Sequence, residues 1–322
     1  MTTFVIPDFF SRVKSLGVQA HFPALRKILS KATVSPAQYA DRYALINSLL
    51  CGNNRNAQGV GASMQLAESG KPIDSWVCCA SPAIVMPNRD HLDLVQASDF
   101  DLSKAEATHF CNELNDFFQA DGLRFVFYRP DQWYCYAESG FSVSPVAPSL
   151  IQGQDIAAHI PLAHTGHAWR KIFNDIQLLL HHSVTNQKRT LGKKPEINSL
   201  WLWGGGELKP GVARQSSFSL MSNDLYSRGL ALSVGMEASG LSNKDLTASH
   251  IVIADAQSDD WLDWDARFFL PALQNLKRGD IKSMTFHLDL TQTFTLEKHE
   301  LMRFWRKEKP VMGFAGKPEN AF

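Results

Sequence analysis

The 322-residue chain has few cysteines and no pattern among them. The five, Cys51, Cys78, Cys79, Cys111 and Cys135, contain no CxxC spacing. An odd number without that spacing excludes a disulfide framework and a zinc knuckle, and predicts reduced thiols in a cytoplasmic protein. Cys78 and Cys79 read as a buried pair in a strand, since vicinal cysteines seldom bridge without strain. Charge of one sign is also lacking: 32 Lys and Arg balance 32 Asp and Glu. Nucleic-acid binders usually show a basic excess, so no nucleic-acid partner is expected. One basic segment, residues 186–194, has no interleaved aromatics to stack bases and reads as a solvated loop. Apolar runs fall far short of the roughly 20 residues of a membrane span. The opening "MTTFVIPDFF" lacks a basic region before an apolar run. Neither a signal peptide nor a membrane partner is therefore expected. Internal repeats and low-complexity tracts are absent too.

What is present is alternation. "TFVI" opens as a buried strand, and "FPALRKILSKA" has helical spacing. "SKAEATHFCNELNDFFQADG" predicts a helix with Ser103 as N-cap and Gly122 as its stop. "LRFVFYRPDQWYCYA" predicts two strands around a turn, and "HAWRKIFNDIQLLLHHSVTN" an amphipathic helix. Beyond Leu191, "SLWLW", "GLALSVGM", "HIVIADA" and "SMTFHLDL" follow with helical or loop segments between them. That order predicts a parallel or mixed sheet with helices on both faces. The chain is expected to divide into an α/β core from residues 1–70 and 197–322, with a smaller α+β cap, residues 71–196, inserted.

The glycines of "INSLWLWGGGELKP" fit no nucleotide motif. A P-loop needs Gly-Lys-Ser/Thr, yet Lys209 precedes Pro210. A dinucleotide fingerprint needs a helix at the glycines, which Pro210-Gly211 opposes. Trp201 and Trp203 alternate with Leu200 and Leu202, so both faces of the strand are apolar. That predicts a central strand beside the Phe4 to Ile6 strand, with Gly204, Gly205 and Gly206 as a tight exit. A ligand at the strand's carboxyl end is the alternative.

Residues 181–206, "HHSVTNQKRTLGKKPEINSLWLWGGG", resemble a pattern of archaeal-type cofactor-independent phosphoglycerate mutases. Together with Asn174, Gln177 and Leu180 they resemble more closely a related bacterial group of Rpf-type regulatory proteins. The matching positions include Asn186, Arg189, Asn198 and Gly204 to Gly206. The resemblance covers about thirty residues specifically. It implies an alkaline-phosphatase-like core with an inserted cap, and makes Asn186, Arg189, Asn198 and the three glycines candidate ligand-binding residues. It also implies two divalent metals, drawn from Mn, Mg or Zn, and a serine nucleophile.

The parts of such a centre are incomplete. Asp8 and Asp255 each end an apolar strand where the family's metal-binding aspartates would lie. No histidine follows Asp255; "QSDDWLDWD" does, and Asp259 and Asp260 read as helix-start residues. His287, Asp289 and His299 could be the last ligand group. Ser283, Thr285, His287, Asp289, Thr291, Thr293 and Thr295 nevertheless share one parity, while Met284, Phe286, Leu288, Leu290, Phe294 and Leu296 share the other. That alternation is also a half-buried hairpin with a polar outer face. Ser48 and Ser63 are the nucleophile candidates, neither in convincing context. His181 and His182 complement a helix C-terminus, and His164 and His167 flank a helix entry.

The expected protein is therefore phosphoglycerate-mutase-like with a degenerate metal site, acting in regulation or ligand binding without mutase turnover. Its partner would be a small phosphorylated metabolite or a regulatory protein. The alternative is an active metal-dependent phosphomutase or phosphatase, which requires Asp8, Asp255 and one of His287, Asp289 or His299 to converge. A third reading, a scaffold binding through its tryptophan-rich half, would display an exposed aromatic patch.

Overall fold

A computed structural model describes the chain except residues 18–20, 40, 53–58, 90, 97–100, 145, 152, 162–165, 209–217, 242–245, 247–248, 256–262, 291 and 316–322. The readings of Asp259, Asp260 and His164 lie outside the described residues. In chain order the first elements are β1 (Thr2–Ile6), α1 (Phe9–Leu16), α2 (Pro23–Lys31), β2 (Thr33–Pro36) and α3 (Arg42–Cys51). A second group follows: α4 (Val60–Ser69), β3 (Trp76–Asn88), β4 (His91–Gln96), α5 (Lys104–Phe118), β5 (Leu123–Arg129), β6 (Gln132–Ala137), α6 (His167–His182), α7 (Val184–Leu191) and β7 (Ser199–Gly206). The chain then continues as β8 (Ser219–Ser222), α8 (Leu225–Ser233), β9 (Ala238–Ser239), β10 (His250–Ile253), α9 (Leu270–Arg278), β11 (Ser283–Leu288) and β12 (Gln292–Glu297). Two compact units result, residues 1–57 with 211–322 and residues 58–210.

The first unit holds a sheet in the order β2-β12-β11-β1-β10-β8-β9. β11, β1, β10, β8 and β9 run parallel, and β12 and β2 return antiparallel. β1 is buried along its whole length, which is why its residues, TTFVI, do not alternate. β11 and β12 do alternate. Met284, Phe286, Leu288, Phe294 and Leu296 point into the core, whereas His287 and Thr293 form a cross-strand pair on the other face. Phe4 stacks on Phe286 at 4.7 Å, and Phe269 closes edge-on at 5.7 Å. Asp265 holds the start of α2, accepting from the Ala24 and Leu25 N–H groups. These are donors that Pro23 at the helix start would otherwise leave open.

The second unit is built on β3, which pairs antiparallel with β4, β6 and β7. α5 begins with a reciprocal capping box between Ser103 and Glu106 and packs on β5. Helix α6 ends at Ser183, whose hydroxyl caps α7 by accepting from Thr185 N–H. The basic segment read as a loop is thus largely helix α7.

One expectation is overturned. The Ser199–Gly206 strand is not beside β1, and the boundary drawn at residue 197 does not hold for it. β7 pairs antiparallel with Cys79–Ala83 of β3 in the second unit's sheet. Its other edge bonds the segment at Ser144. Both faces are buried as the apolar run predicts, with Leu200, Trp201 and Leu202 fully buried. Burial of both faces says that a strand is covered, not which strands flank it.

Candidate functional site

Parallel strands bring the residues just past their carboxyl ends to one sheet edge. Across β11, β1, β10 and β8 these residues are Asp289, Asp8, Asp255 and Asp224. Four carboxylates on neighbouring strands repel unless something compensates. The structure resolves the repulsion in two ways, at two ends of the row.

At the β11–β1 end, Asp8 starts α1 in the left-handed region, φ 55°, without capping the helix through its side chain. Asp289 supplies the cap instead. Its Oδ2 accepts from Phe10 N–H at 3.0 Å, and its own N–H bonds Ile6 C=O. Asp289 also sits at positive φ, 53°, where Asp is tolerated better than most residues. Burial pushes its carboxyl up to about 6, and the charge of Asp8 adds to this. The helix-start N–H groups oppose the shift. Its Oδ1 is buried without a hydrogen-bond partner.

At the β10–β8 end, a side chain supplies the compensating charge. Arg42, at the start of α3, bonds Asp224 at 2.6 Å. Asp224 and Asp255 both favour the charged guanidinium, which is raised against the cost of its burial. Asp224 caps α8 as well, accepting from Ser227 N–H. The sequence reading missed both Arg42 and Asp224. Asp224 follows a strand as Asp8 and Asp255 do, but its strand, SLMS, is too short and too polar to be recognised.

The remaining metal candidates do not join the row. His287 is half-buried, and its Nδ1 lies 3.2 Å from Thr293 Oγ1 across the hairpin. Burial lowers its pKa to about 4, so the ring is neutral near pH 7. Ser283 pairs with Glu297, which puts the residues after β12 at the opposite edge of the sheet. His299 lies there, exposed and beside Glu297 at 3.3 Å. Among the described residues no group of three or more His, Cys, Asp or Glu is placed to hold a metal ion. Asp8 and Asp289 are a two-carboxylate, oxygen-only set. Such a set suits Mg²⁺ or Mn²⁺ carrying its own waters better than Zn²⁺, which favours nitrogen and sulfur ligands.

The candidate ligand-binding residues of the second unit are occupied internally. Asn186 is buried, donates to Leu180 and Ile197 C=O, and accepts from Ile197 N–H. Arg189, with its side chain fully buried, bonds Pro195 C=O through Nε and Glu106 through Nη1 at 2.9 Å. Asn198 clamps both backbone groups of Val85. Three residues matched to the family pattern thus fasten α7 and β7 to their surroundings. The glycines are occupied by packing. A Cβ on Gly205 would sit 2.2 Å from the Trp76 indole, and Gly206 lies against Gly59. Gly204 needs its φ of 64°.

Ser63 is fully buried in α4 of the second unit. Ser48 lies in α3 and bonds the Tyr39 hydroxyl at 2.9 Å.

No family model matches the chain. A probable 2,3-bisphosphoglycerate-independent phosphoglycerate mutase of Geobacter sulfurreducens is 26% identical to it over 153 residues. That match covers 47% of this chain and 38% of the relative, so well under half of the relative's length is represented. Among solved structures, a cofactor-independent phosphoglycerate mutase from Thermoplasma acidophilum aligns with a TM-score of 0.45 at 12% identity, covering 98% of this chain and 95% of that one. A protein of Pyrococcus horikoshii aligns with a TM-score of 0.47 at 10% identity, covering 92% and 87%. No helix among the described residues is long and apolar enough to cross a membrane.

Proposed function

We propose that this chain is a phosphoglycerate-mutase-like protein, with an alkaline-phosphatase-like core, that binds a small phosphorylated metabolite or acts in regulation without mutase turnover. One observation carries the reading. Arg42 supplies at Asp224 and Asp255 the positive charge that a metal would otherwise supply. A two-metal centre needs several acidic and imidazole ligands around each ion. Here the acids of one end are neutralised by a half-buried guanidinium, and both candidate histidines are engaged elsewhere. The partial likeness to the Geobacter mutase supports the assignment to this group.

The test is turnover. Purified full-length protein with Mn²⁺, Mg²⁺ or Zn²⁺ should not interconvert 2- and 3-phosphoglycerate, nor hydrolyse p-nitrophenyl phosphate. Robust turnover that disappears in Asp8→Ala would overturn the proposal.

A second reading rests on the other end of the row. The buried, unpartnered Oδ1 of Asp289 beside Asp8 is where a hard cation would bind in an active phosphomutase or phosphatase. Binding there would bring the Asp289 carboxyl down again, since a cation favours the ionised form. The same assay decides between the readings. Activity that depends on Mg²⁺ or Mn²⁺ and is lost in Asp289→Asn would establish the second.

A further inference from the structure

The segment after β12 displays aromatic side chains to solvent. Phe304 is 85% exposed, Trp305 66% and Met302 75%. The two rings touch edge-on at 5.2 Å, so they form one apolar knuckle and not scattered side chains. Folded chains normally turn such residues inward, and a cluster of them on the surface marks an interaction site.

The knuckle is held out by its backbone. Phe304 N–H bonds Met302 C=O at 2.7 Å, and Arg306 N–H bonds Arg303 C=O at 3.2 Å, closing a tight turn. Arg303 Nη1 donates to Lys31 C=O and to Thr33 Oγ1. Arg306 Nη1 donates to Ala32 C=O at 2.6 Å, and Lys31 Nζ returns a bond to Arg303 C=O. Thr33 and Arg303 both engage Glu300. The turn is therefore tied at several points to the end of α2 and the start of β2. It cannot fold its aromatics back without breaking these bonds.

Charge selects the partner. Residues 298–309, KHELMRFWRKEK, hold five Lys and Arg against two Glu in a chain whose overall charge is zero. Glu300 is taken by Arg303, and Glu308 by Arg26 at 3.0 Å. Lys307 and Lys309 stay exposed beside the aromatics. A second copy of this surface would set like charges face to face. A single-stranded nucleic acid needs a basic groove that follows its backbone, and Arg303 and Arg306 are already committed to carbonyls. A flat anionic lipid surface takes a convex aromatic wedge with lysines at its rim. Trp and Phe enter the headgroup region, and the lysines meet the negative surface potential.

We infer that the Met302–Lys309 knuckle is a peripheral docking site for anionic lipid surfaces, independent of the carboxylate row. This reverses the sequence-based expectation of no membrane partner. The experiment is sedimentation of the full chain with phosphatidylcholine vesicles containing phosphatidylserine, and with phosphatidylcholine alone. Binding should require phosphatidylserine and weaken as salt rises. Phe304→Ser/Trp305→Ser and Lys307→Glu/Lys309→Glu should each reduce it about tenfold or more. Both pairs are on the surface, and unchanged circular dichroism would certify their folds. Absence of binding to the anionic vesicles would overturn the inference. So would binding that the aromatic variant retains, because that is charge attraction without a wedge. An equal or greater affinity of the knuckle for single-stranded DNA, lost in the same variants, would also overturn it.

Discussion

Gly205 offers the sharpest check on the physical account of the glycine stretch. The Trp76 indole lies in a slot between two glycines. A Cβ on Gly205 would meet Trp76 Cζ2 at 2.2 Å and Val143 Cγ2 at 2.8 Å. On the other side, a Cβ on Gly140 would meet Trp76 Cδ1 at 2.5 Å. Ordinary carbon contacts lie near 3.5–4.0 Å. The indole would have to retreat by more than about 1 Å, and Gly140 and Phe141, whose ring is 4.7 Å away, stand in the path. The backbone at Gly205 is not in the left-handed region, so the whole penalty is steric. Overpacking of this kind costs about 1–3 kcal/mol. Gly205→Ala should fall in that range, and Gly205→Val should reach its upper end or exceed it. Urea unfolding of the full chain gives the number. A cycle with Trp76→Ala isolates the cause: the double variant should be less destabilised than the sum by about 0.5–3 kcal/mol. A neutral Gly205→Ala, or additivity with Trp76→Ala, would refute the packing argument and restore a ligand-contact role for these glycines.

Three further outcomes follow from the carboxylate row and the family-matched residues. Asp289 has a native pKa of about 6, above its unfolded value of 3.8. The native state then binds more protons between those pH values, and stability attributable to Asp289 falls as pH rises through that window. Asp289→Asn keeps an oxygen for Phe10 N–H and should raise the melting temperature at pH 7.5, the gain vanishing below about pH 4. His287 has the opposite sign: its native pKa of about 4 lies below 6.5, so stability is lost as pH falls between them. His287→Gln should flatten that acid-side loss in thermal melts, and an unchanged profile would contradict the half-buried, neutral imidazole. Arg189→Lys keeps the charge but not the fork that reaches both Pro195 and Glu106. It should destabilise by about 1–3 kcal/mol in denaturant unfolding, the cost of a buried hydrogen bond left unmade; loss of ligand binding at full stability would return Arg189 to the ligand-binding role.

The sequence by itself determined what depends on near neighbours. Ser103 with Glu106 three residues on fixed the start of α5. The two-residue period of Met284 to Leu296 fixed the β11–β12 hairpin and its core face. The absence of alternation in Thr2 to Ile6 and His250 to Ile253 marked strands covered on both sides. Asp8 and Asp255 at the ends of those strands were legible for the same reason. Tertiary structure alone decided what depends on pairing across many residues. Leu200 to Trp203 are equally apolar beside β1 or beside β3, and only the long-range hydrogen bonds to Cys79–Ala83 distinguish the two. The antiparallel return of β12 carried His299 to the far edge of the sheet, although it stands only ten residues from Asp289. Arg42 reaches Asp224 across more than 180 residues of chain, a pairing that no local pattern encodes. Periodicity records which side of an element meets the core; the identity of the charge opposite a carboxylate is settled only when distant segments fold against it.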